Sequence, residues 1–170
     1  MVKKGIKLEG DKIAQGNAAQ LLVASELNRR GCPAAVTLGN APHVDVVCSD
    51  SEARRFAFVQ VKSFHIKDGS CAVGVKAEKD YGRNFFWVIV GLRDSDDNLK
   101  DDFYIVPAKY MAENVRSMHE KWLRAPSAKG QKHKDSSIRK VHIGESKFEY
   151  DISDWKGKWE LISNALKPQK

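Results

Sequence analysis

The apolar segment FAFVQVKSF, at 56–64, limits the folds open to this chain more than any other feature. Side chains of a β-strand alternate between its two faces, so Gln60 and Lys62 share one face with three phenylalanines. The opposite face carries alanine, valine and serine. A strand with two apolar faces is typical of the interior of a sheet, where an unpaired amide or ammonium is costly. We therefore expect Gln60 and Lys62 to have a nearby acceptor.

Asp45, in the apolar segment HVDVVC at 43–48, is the candidate acceptor. The turn SDSEARR lies between the two segments and allows them to pair as neighbouring strands. Asp45, Gln60 and Lys62 are thus predicted to form one polar cluster inside an apolar α/β core. The alternative is a buried ion pair between Asp45 and Lys62 that has no chemical role.

The hydrophobic periodicity of the remaining chain predicts an alternation of helices and strands. The segment FFWVIVGL, at 85–92, is apolar on both faces and is typical of a central strand. Its expected neighbour is the strand at 103–106. Helices are predicted at 12–30 and 108–125, with a closing helix or turn at 155–166. The other strands are predicted at 35–38, 43–48, 55–64 and 70–75, with a small ribbon at 138–143 and 147–150.

A chain of 170 residues with 42% hydrophobic residues suits one hydrophobic core, so we expect a single domain over 1–170. The three cysteines, Cys32, Cys48 and Cys71, are widely spaced and include no Cys-x-x-Cys pair. That pattern suits a reducing cytoplasm. No segment approaches the ~20 apolar residues that span a bilayer, so no membrane association is expected.

The formal charge of +7 favours an anionic partner. Seven basic residues against one acid lie between 121 and 140, and a long polar loop is predicted at about 125–140. The candidate nucleic-acid contacts in this loop are Lys129, Lys132, Lys134 and Arg139. A solvated loop with no partner is the alternative. The turn YGRN at 81–84 could also contact phosphates, although ordinary turn chemistry is the preferred interpretation there.

Three motifs occur in order between residues 16 and 63. They are GNAAQLLVASELNRRG at 16–31, GNAPHVDVV at 39–47 and FVQVKS at 58–63, and the last two together give the pattern D-x14-Q-x-K. This arrangement resembles the PD-(D/E)xK nuclease superfamily, and the Q-x-K subgroup in particular. The resemblance implies a restriction-endonuclease-like α/β fold, with a central mixed sheet of four to five strands flanked by helices.

The resemblance also implies a function, that of a metal-dependent DNA endonuclease or resolvase-like phosphodiester hydrolase. The metal would be Mg²⁺, with Mn²⁺ as a substitute, bound by the Asp45 and Gln60 side chains and the Val61 carbonyl oxygen. Lys62 would stabilise the charge that develops on the phosphate. Gln20 occupies the position at which the family helix usually offers a glutamate. DNA would be the partner, and a homodimer is suggested by analogy because two sites can cut both strands.

Two amides, Gln20 and Gln60, stand where carboxylates are usual, which leaves Asp45 as the one carboxylate assigned to the site. A cation held by one carboxylate and neutral oxygens is expected to bind weakly unless DNA phosphates complete its shell. The sequence therefore leaves two alternatives to an active nuclease. One is a catalytically impaired nucleic-acid-binding module on the same fold, and the other is a subunit whose basic loop binds an acidic protein.

Overall fold

The computed structural model describes residues 12–38, 42–94, 100–127, 130–144 and 151–168. Its first element is helix α1, Lys12–Arg29, which buries the stripe Ala19, Val23, Ala24 and Leu27. The helix ends before Gly31, whose φ of 77° is the left-handed conformation that commonly terminates helices. The helix predicted from the apolar spacing is therefore confirmed.

Strands and two further helices follow α1 in the described part of the chain. The strands are β1 Ala34–Val36, β2 Val46–Ser49, β3 Phe56–His65, β4 Ser70–Ala72, β5 Phe85–Leu92, β6 Asp102–Pro107 and β7 Lys140–His142. The helices are α2 Ala108–Arg124 and α3 Glu160–Ala165, with short 3-10 helices at Ile66–Asp68, Val75–Glu78 and Ser153–Trp155.

Five strands form the central sheet in the order β1-β2-β3-β5-β6. The β3–β5 pair is parallel and the other neighbours are antiparallel. The sheet is mixed and flanked by helices, so the predicted fold class is confirmed. The expected pairings of β2 with β3 and of β5 with β6 are also present.

Strand β4, in the segment predicted as a strand at 70–75, lies outside the central sheet. It pairs with β7 in a separate two-stranded sheet. The parallel arrangement of β3 and β5 accounts for its position between them in sequence, because a parallel pair requires a long crossover and cannot be closed by a hairpin. The crossover contains β4 and the 3-10 helix Val75–Glu78. The ribbon predicted at 138–143 with 147–150 has its first strand in β7, and 147–150 lies outside the described residues.

Helices cover both faces of the central sheet. Helix α1 and the α3 region pack on the face that carries Val59 and Val61 of β3 and Val88 of β5. Helix α2 packs on the opposite face, over Trp87 and Ile89 of β5. No described helix is both long and apolar enough to cross a membrane.

Strand β3 is less completely buried than its sequence predicts. Its Ala57 and Val59 are fully buried. On the other face, however, Phe56 is 43% exposed and Phe58 is 40% exposed. Helix α2 covers the part of this face near Phe64 and leaves the first half of the strand open. The expectation of two buried faces is therefore wrong for the first half of β3.

Two glycine substitutions test the packing of this fold. Gly91 lies in buried β5, and an added Cβ would lie 2.6 Å from the Ile66 side chain and 3.2 Å from that of Phe64. Gly91→Val should lower the free energy of unfolding by about 1–3 kcal/mol, because the added side chain overpacks the core and displaces Ile66 and Phe64. Gly16 lies in α1 with open space around it. Gly16→Ala should raise that free energy by about 0.5–1 kcal/mol, because alanine loses less backbone entropy in a helix. Urea denaturation measures both, and equal effects would contradict the assigned packing.

Candidate active site

The candidate site lies where the ladder between β2 and β3 ends. Asp45 lies immediately before β2. The predicted strand at 43–48 had included it. Its backbone is nevertheless held from both sides, since the Asp45 N–H donates to the Val59 carbonyl and the Asp45 carbonyl accepts from Thr37 N–H, both at 2.9 Å. These two hydrogen bonds fix the position from which the Asp45 side chain projects.

The Asp45 carboxylate acts as the hydrogen-bond acceptor for the next β3 residue that faces β2, which is Val61. Its Oδ2 accepts the backbone N–H of Val61 at 2.7 Å and also accepts a hydrogen bond from the Gln60 side-chain amide. The N–H and C=O of one strand residue point to the same side, so the Val61 carbonyl also points toward Asp45. A carboxylate, an amide and a backbone carbonyl therefore meet beyond the end of β2.

The environment raises the pKa of Asp45 above its ordinary value, and burial is the largest cause. The Val61 N–H, the positive charge of Lys62 and the Gln60 amide act in the opposite direction and are outweighed. Lys62 is half-buried on the same strand face as Gln60. Among the described ion pairs, none joins Lys62 to Asp45. The alternative of a simple buried Asp45–Lys62 ion pair is therefore not what the described residues form.

Gln20 forms no described hydrogen bond with this cluster. It is half-buried on α1, and the buried residues of α1 pack with Val59 and Val61 on the other face of the sheet. Within the described residues, no hydrogen bond connects Gln20 to Asp45 or Gln60. The structure thus joins Asp45 to Gln60 and Val61, with Lys62 near enough for its charge to act on Asp45, and it shows Gln20 on α1 without a hydrogen bond to them.

The sequence gives no signal for a further contact beside Asp45. His43 has φ of 75°, so the extended conformation of the predicted strand at 43–48 does not include this residue. Its Nδ1 lies 3.2 Å from the Tyr81 hydroxyl, and the two rings lie 5.2 Å apart. Tyr81 stacks in turn on Phe85 at the start of β5. The crossover between β3 and β5 therefore borders the candidate site.

The basic loop is attached to the same crossover. The Val73 N–H donates to the Arg139 carbonyl and the Val75 N–H to the Ser137 carbonyl, at 2.9 and 3.0 Å. At the other end of the loop, the His133 ring stacks on Trp122 of α2 at 4.0 Å. The part of the loop that the structure describes is thus packed on the protein at both ends.

The four candidate nucleic-acid contacts of this loop differ in their surroundings. Lys132 and Lys134 are exposed. Lys129 lies outside the described residues. Arg139 is buried, and its guanidinium donates to the Glu78 carboxylate and to the Ser136 carbonyl. Because these partners occupy the guanidinium, we assign Arg139 to loop attachment and omit it from the proposed nucleic-acid contacts.

Comparisons with known proteins extend the description of the fold. No protein-family model matches the sequence, and no curated protein sequence matches it. Among solved structures, the chain is similar to the bacterial homing endonuclease I-Ssp6803I, with a TM-score of 0.56, 18% identity, and coverage of 95% of this chain and 100% of that one. It also matches Hjc, a Holliday junction resolvase from Archaeoglobus fulgidus, with a TM-score of 0.43, 13% identity, and coverage of 75% and 84%. At 18% identity, the likeness to the homing endonuclease supports the fold class alone.

Two substitutions of Asp45 should have opposite effects on stability. A raised native pKa means that the charged carboxylate opposes folding. This loss of folding free energy is complete at pH values above the native pKa, and it vanishes below the unfolded pKa of about 3.9. Asp45→Asn removes the charge and keeps an acceptor for Val61 N–H, so its melting temperature should exceed that of the wild type at pH 7. Asp45→Ala leaves that N–H without an acceptor and should lose about 1–3 kcal/mol. Thermal melts from pH 3 to pH 8 measure both, and a less stable Asp45→Asn at pH 7 would contradict this electrostatic assignment.

The loop residues allow a second test. Arg139→Ala leaves Glu78 without its partner and should lower the free energy of unfolding by about 3 kcal/mol, as for other broken buried pairs. Lys132→Ala and Lys134→Ala remove exposed charges and should stay within about 0.5 kcal/mol of the wild type. Urea denaturation at low and high salt makes the comparison. A neutral Arg139→Ala would return this residue to the set of candidate DNA contacts.

Proposed function

We propose that this chain is a DNA endonuclease that hydrolyses phosphodiester bonds with a divalent cation at Asp45. The observation that carries the proposal is the meeting of the Asp45 carboxylate, the Gln60 amide and the Val61 carbonyl at the open end of the β2–β3 ladder. A backbone carbonyl beside a partly buried carboxylate is a poor arrangement for stability alone. It is, however, a suitable set of oxygen ligands for a cation.

The donor set fits Mg²⁺, with Mn²⁺ as a substitute. Asp45 Oδ1, the Val61 carbonyl and Gln60 Oε1 are all hard oxygen ligands. When bound, such a cation lowers the pKa of a water molecule and offsets negative charge on the phosphate. Among the described residues, no group of three His, Cys, Asp or Glu side chains could hold a metal. The affinity should therefore be low and should rise when DNA phosphates supply further oxygens.

Lys62 is the proposed electrostatic catalyst. It lies two residues beyond Gln60, on the same face of β3, and is half-buried. Because Lys62 has no carboxylate partner in the described ion pairs, its ammonium is available to a phosphate oxygen. A cation aimed at the charge that develops in the transition state typically contributes about 10²–10³ in rate. The exposed Lys132 and Lys134 would contact the phosphate backbone of the DNA without reading its sequence.

A second candidate function is DNA binding without cleavage. The Gln60 amide donates to the Asp45 carboxylate and so occupies one of its two oxygens. With a single carboxylate, the site would bind DNA through its basic residues without hydrolysing phosphodiester bonds at a measurable rate. This candidate shares the fold and the basic loop with the first, and it differs only in turnover.

One assay separates the two functions. Supercoiled, linear and branched DNA are incubated with Mg²⁺, Mn²⁺ or chelator, and nicking is followed on gels. We expect cation-dependent nicking by the wild type, with a loss of at least about 10²-fold in Lys62→Ala and Asp45→Asn. The matched control is Lys134→Ala, which should reduce binding slightly and leave the cleavage step unchanged. Binding that falls steeply with salt, without nicking under any condition, would replace the endonuclease by the binding module.

Gln60→Glu gives a more specific test of the metal assignment. It adds a second carboxylate beside Asp45, and the charge count of a site is a main determinant of its affinity for hard cations. We expect half-maximal cleavage at an Mg²⁺ concentration about tenfold lower than in the wild type. Gln60→Ala is the control, since it removes the same amide without adding charge, and it should require more Mg²⁺. Equal requirements in both variants would argue against position 60 as a ligand.

A further inference from the structure

The first half of β3 presents two exposed aromatic rings on the face of the candidate site. Phe56 and Phe58 alternate with buried Ala57 and Val59, so they share a face with Gln60. With a rise of about 3.3 Å per residue, Phe58 lies roughly 7 Å along the strand from Gln60. Scattered exposed apolar residues are ordinary, but adjacent exposed aromatics beside a polar site indicate a binding surface.

The apolar surface continues across three strands. Phe58 pairs with Val47 of β2, and Val47 pairs with Ala35 of β1. Of these, Val47 is half-buried and Ala35 is exposed. On the β5 side, Phe58 pairs with Phe85, on which Tyr81 stacks at 4.5 Å. We call Ala35, Val47, Phe56, Phe58 and Tyr81 the aromatic platform.

The turn before β5 holds the backbone of Phe56 and Phe58 in place. The Phe58 N–H donates to the Asn84 carbonyl at 2.9 Å, and the Asn84 side-chain amide donates to the Phe56 carbonyl at 3.2 Å. Arg83, which precedes Asn84 in this turn, is exposed. A platform fixed by backbone hydrogen bonds loses little entropy when a ligand binds to it.

The rim of the platform is positively charged. The Lys79 ammonium lies 5.2 Å from the centre of the Tyr81 ring. In the part of the chain that the structure describes, no ion pair is formed by Lys79 or Arg83. Of the nearby acids, Glu78 pairs with Arg139, and Asp80 accepts the Gly82 N–H, so the charge of Asp80 stands against the two cations Lys79 and Arg83. Aromatic faces bordered by free cations match the bases and phosphates of a nucleic acid.

We propose that the aromatic platform stacks unpaired bases, so that the preferred substrate is DNA with single-stranded or splayed nucleotides beside the bond to be cut. This inference rests on the proposed function, because it takes DNA as the substrate. A perfect duplex keeps its bases stacked inside the helix and offers the platform only phosphates. An unpaired base presents a π-face to Phe58 whatever its sequence.

A second copy of this chain is a poorer occupant of the platform. In a two-fold interface each patch meets its own equivalent, which would bring Lys79 and Arg83 close to the same cations of the other copy. Like charges in a buried interface are unfavourable. The charged rim therefore favours a polyanion over self-association through this face.

The test measures binding without cleavage. The full chain is titrated, in chelator, into fluorescently labelled oligonucleotides that form a blunt duplex, a duplex with splayed arms, or a single strand, and anisotropy is recorded. We expect the splayed and single-stranded forms to bind at least about tenfold more tightly than the blunt duplex, from the usual strength of base stacking on aromatic rings. Phe58→Leu, which keeps apolar bulk and removes the ring, should weaken their binding by about tenfold and that of the blunt duplex by less than about twofold.

Two controls isolate the ring itself. Phe58→Tyr keeps an aromatic face and should restore tight binding of the splayed duplex. Leu21→Ala removes an exposed apolar side chain from α1, on the other side of the sheet, and should leave all three affinities unchanged. Because Phe58 is partly exposed, each variant should keep the melting temperature of the wild type within a few degrees, which confirms that the fold is intact.

The outcomes separate this inference from the proposed nuclease function. Equal losses on all three oligonucleotides in Phe58→Leu, or no loss on any of them, would overturn the stacking platform even if the wild type cuts DNA. A self-associating wild type whose Phe58→Leu variant sediments as a monomer would also overturn it, in favour of a second copy. Binding of splayed DNA that depends on the Phe58 ring, without nicking in Mg²⁺, would support the platform and contradict the proposed nuclease function.

Discussion

The hydrogen bond from Val61 N–H to the Asp45 carboxylate determines how the site is built. At this point of β3 a side chain replaces the backbone acceptor that a longer β2 would have supplied. The replacement satisfies a buried donor, which a sheet would otherwise leave unpaired at a high cost. It also directs the neighbouring carbonyl toward a carboxylate. The polar cluster is thus a consequence of where one strand stops.

That arrangement places stability and chemistry in opposition. Burial raises the pKa of Asp45, and the positive charge of Lys62 offsets this only in part. A neutral side chain at this position would give a larger free energy of unfolding, because its burial would cost less than that of the Asp45 carboxylate. Strained electrostatics of this kind are common at functional sites, and they also occur in structural networks. The proposed role of the site therefore rests on geometry, and the pKa shift is secondary.

The fold was largely predictable from the sequence, because alternation and apolar runs follow directly from burial. The helix α1, the central β5 and the pairing of Asp45 with Gln60 all come from such patterns. Long-range effects were not predictable. The burial of Arg139 depends on Glu78, which lies far away in sequence, and the exposure of Phe58 depends on where α2 ends its cover of the sheet. The local sequence around Arg139, a polar loop, does not indicate that this residue is buried. The apolar strand around Phe58 likewise does not indicate that its ring is exposed.

The parallel pairing of β3 with β5 has a consequence for how such a protein can change over time. Its crossover carries Tyr81, Arg83 and the attachment of the basic loop, whereas Asp45 and Gln60 belong to the antiparallel β2–β3 pair. Insertions in the crossover therefore need not disturb the ladder that positions the carboxylate. The crossover part of the proposed binding surface, with Tyr81 and Arg83, thus lies on a different stretch of chain from the proposed reaction centre, so selection can alter the first while the second stays the same. A scaffold divided in this way can acquire new specificities in small steps.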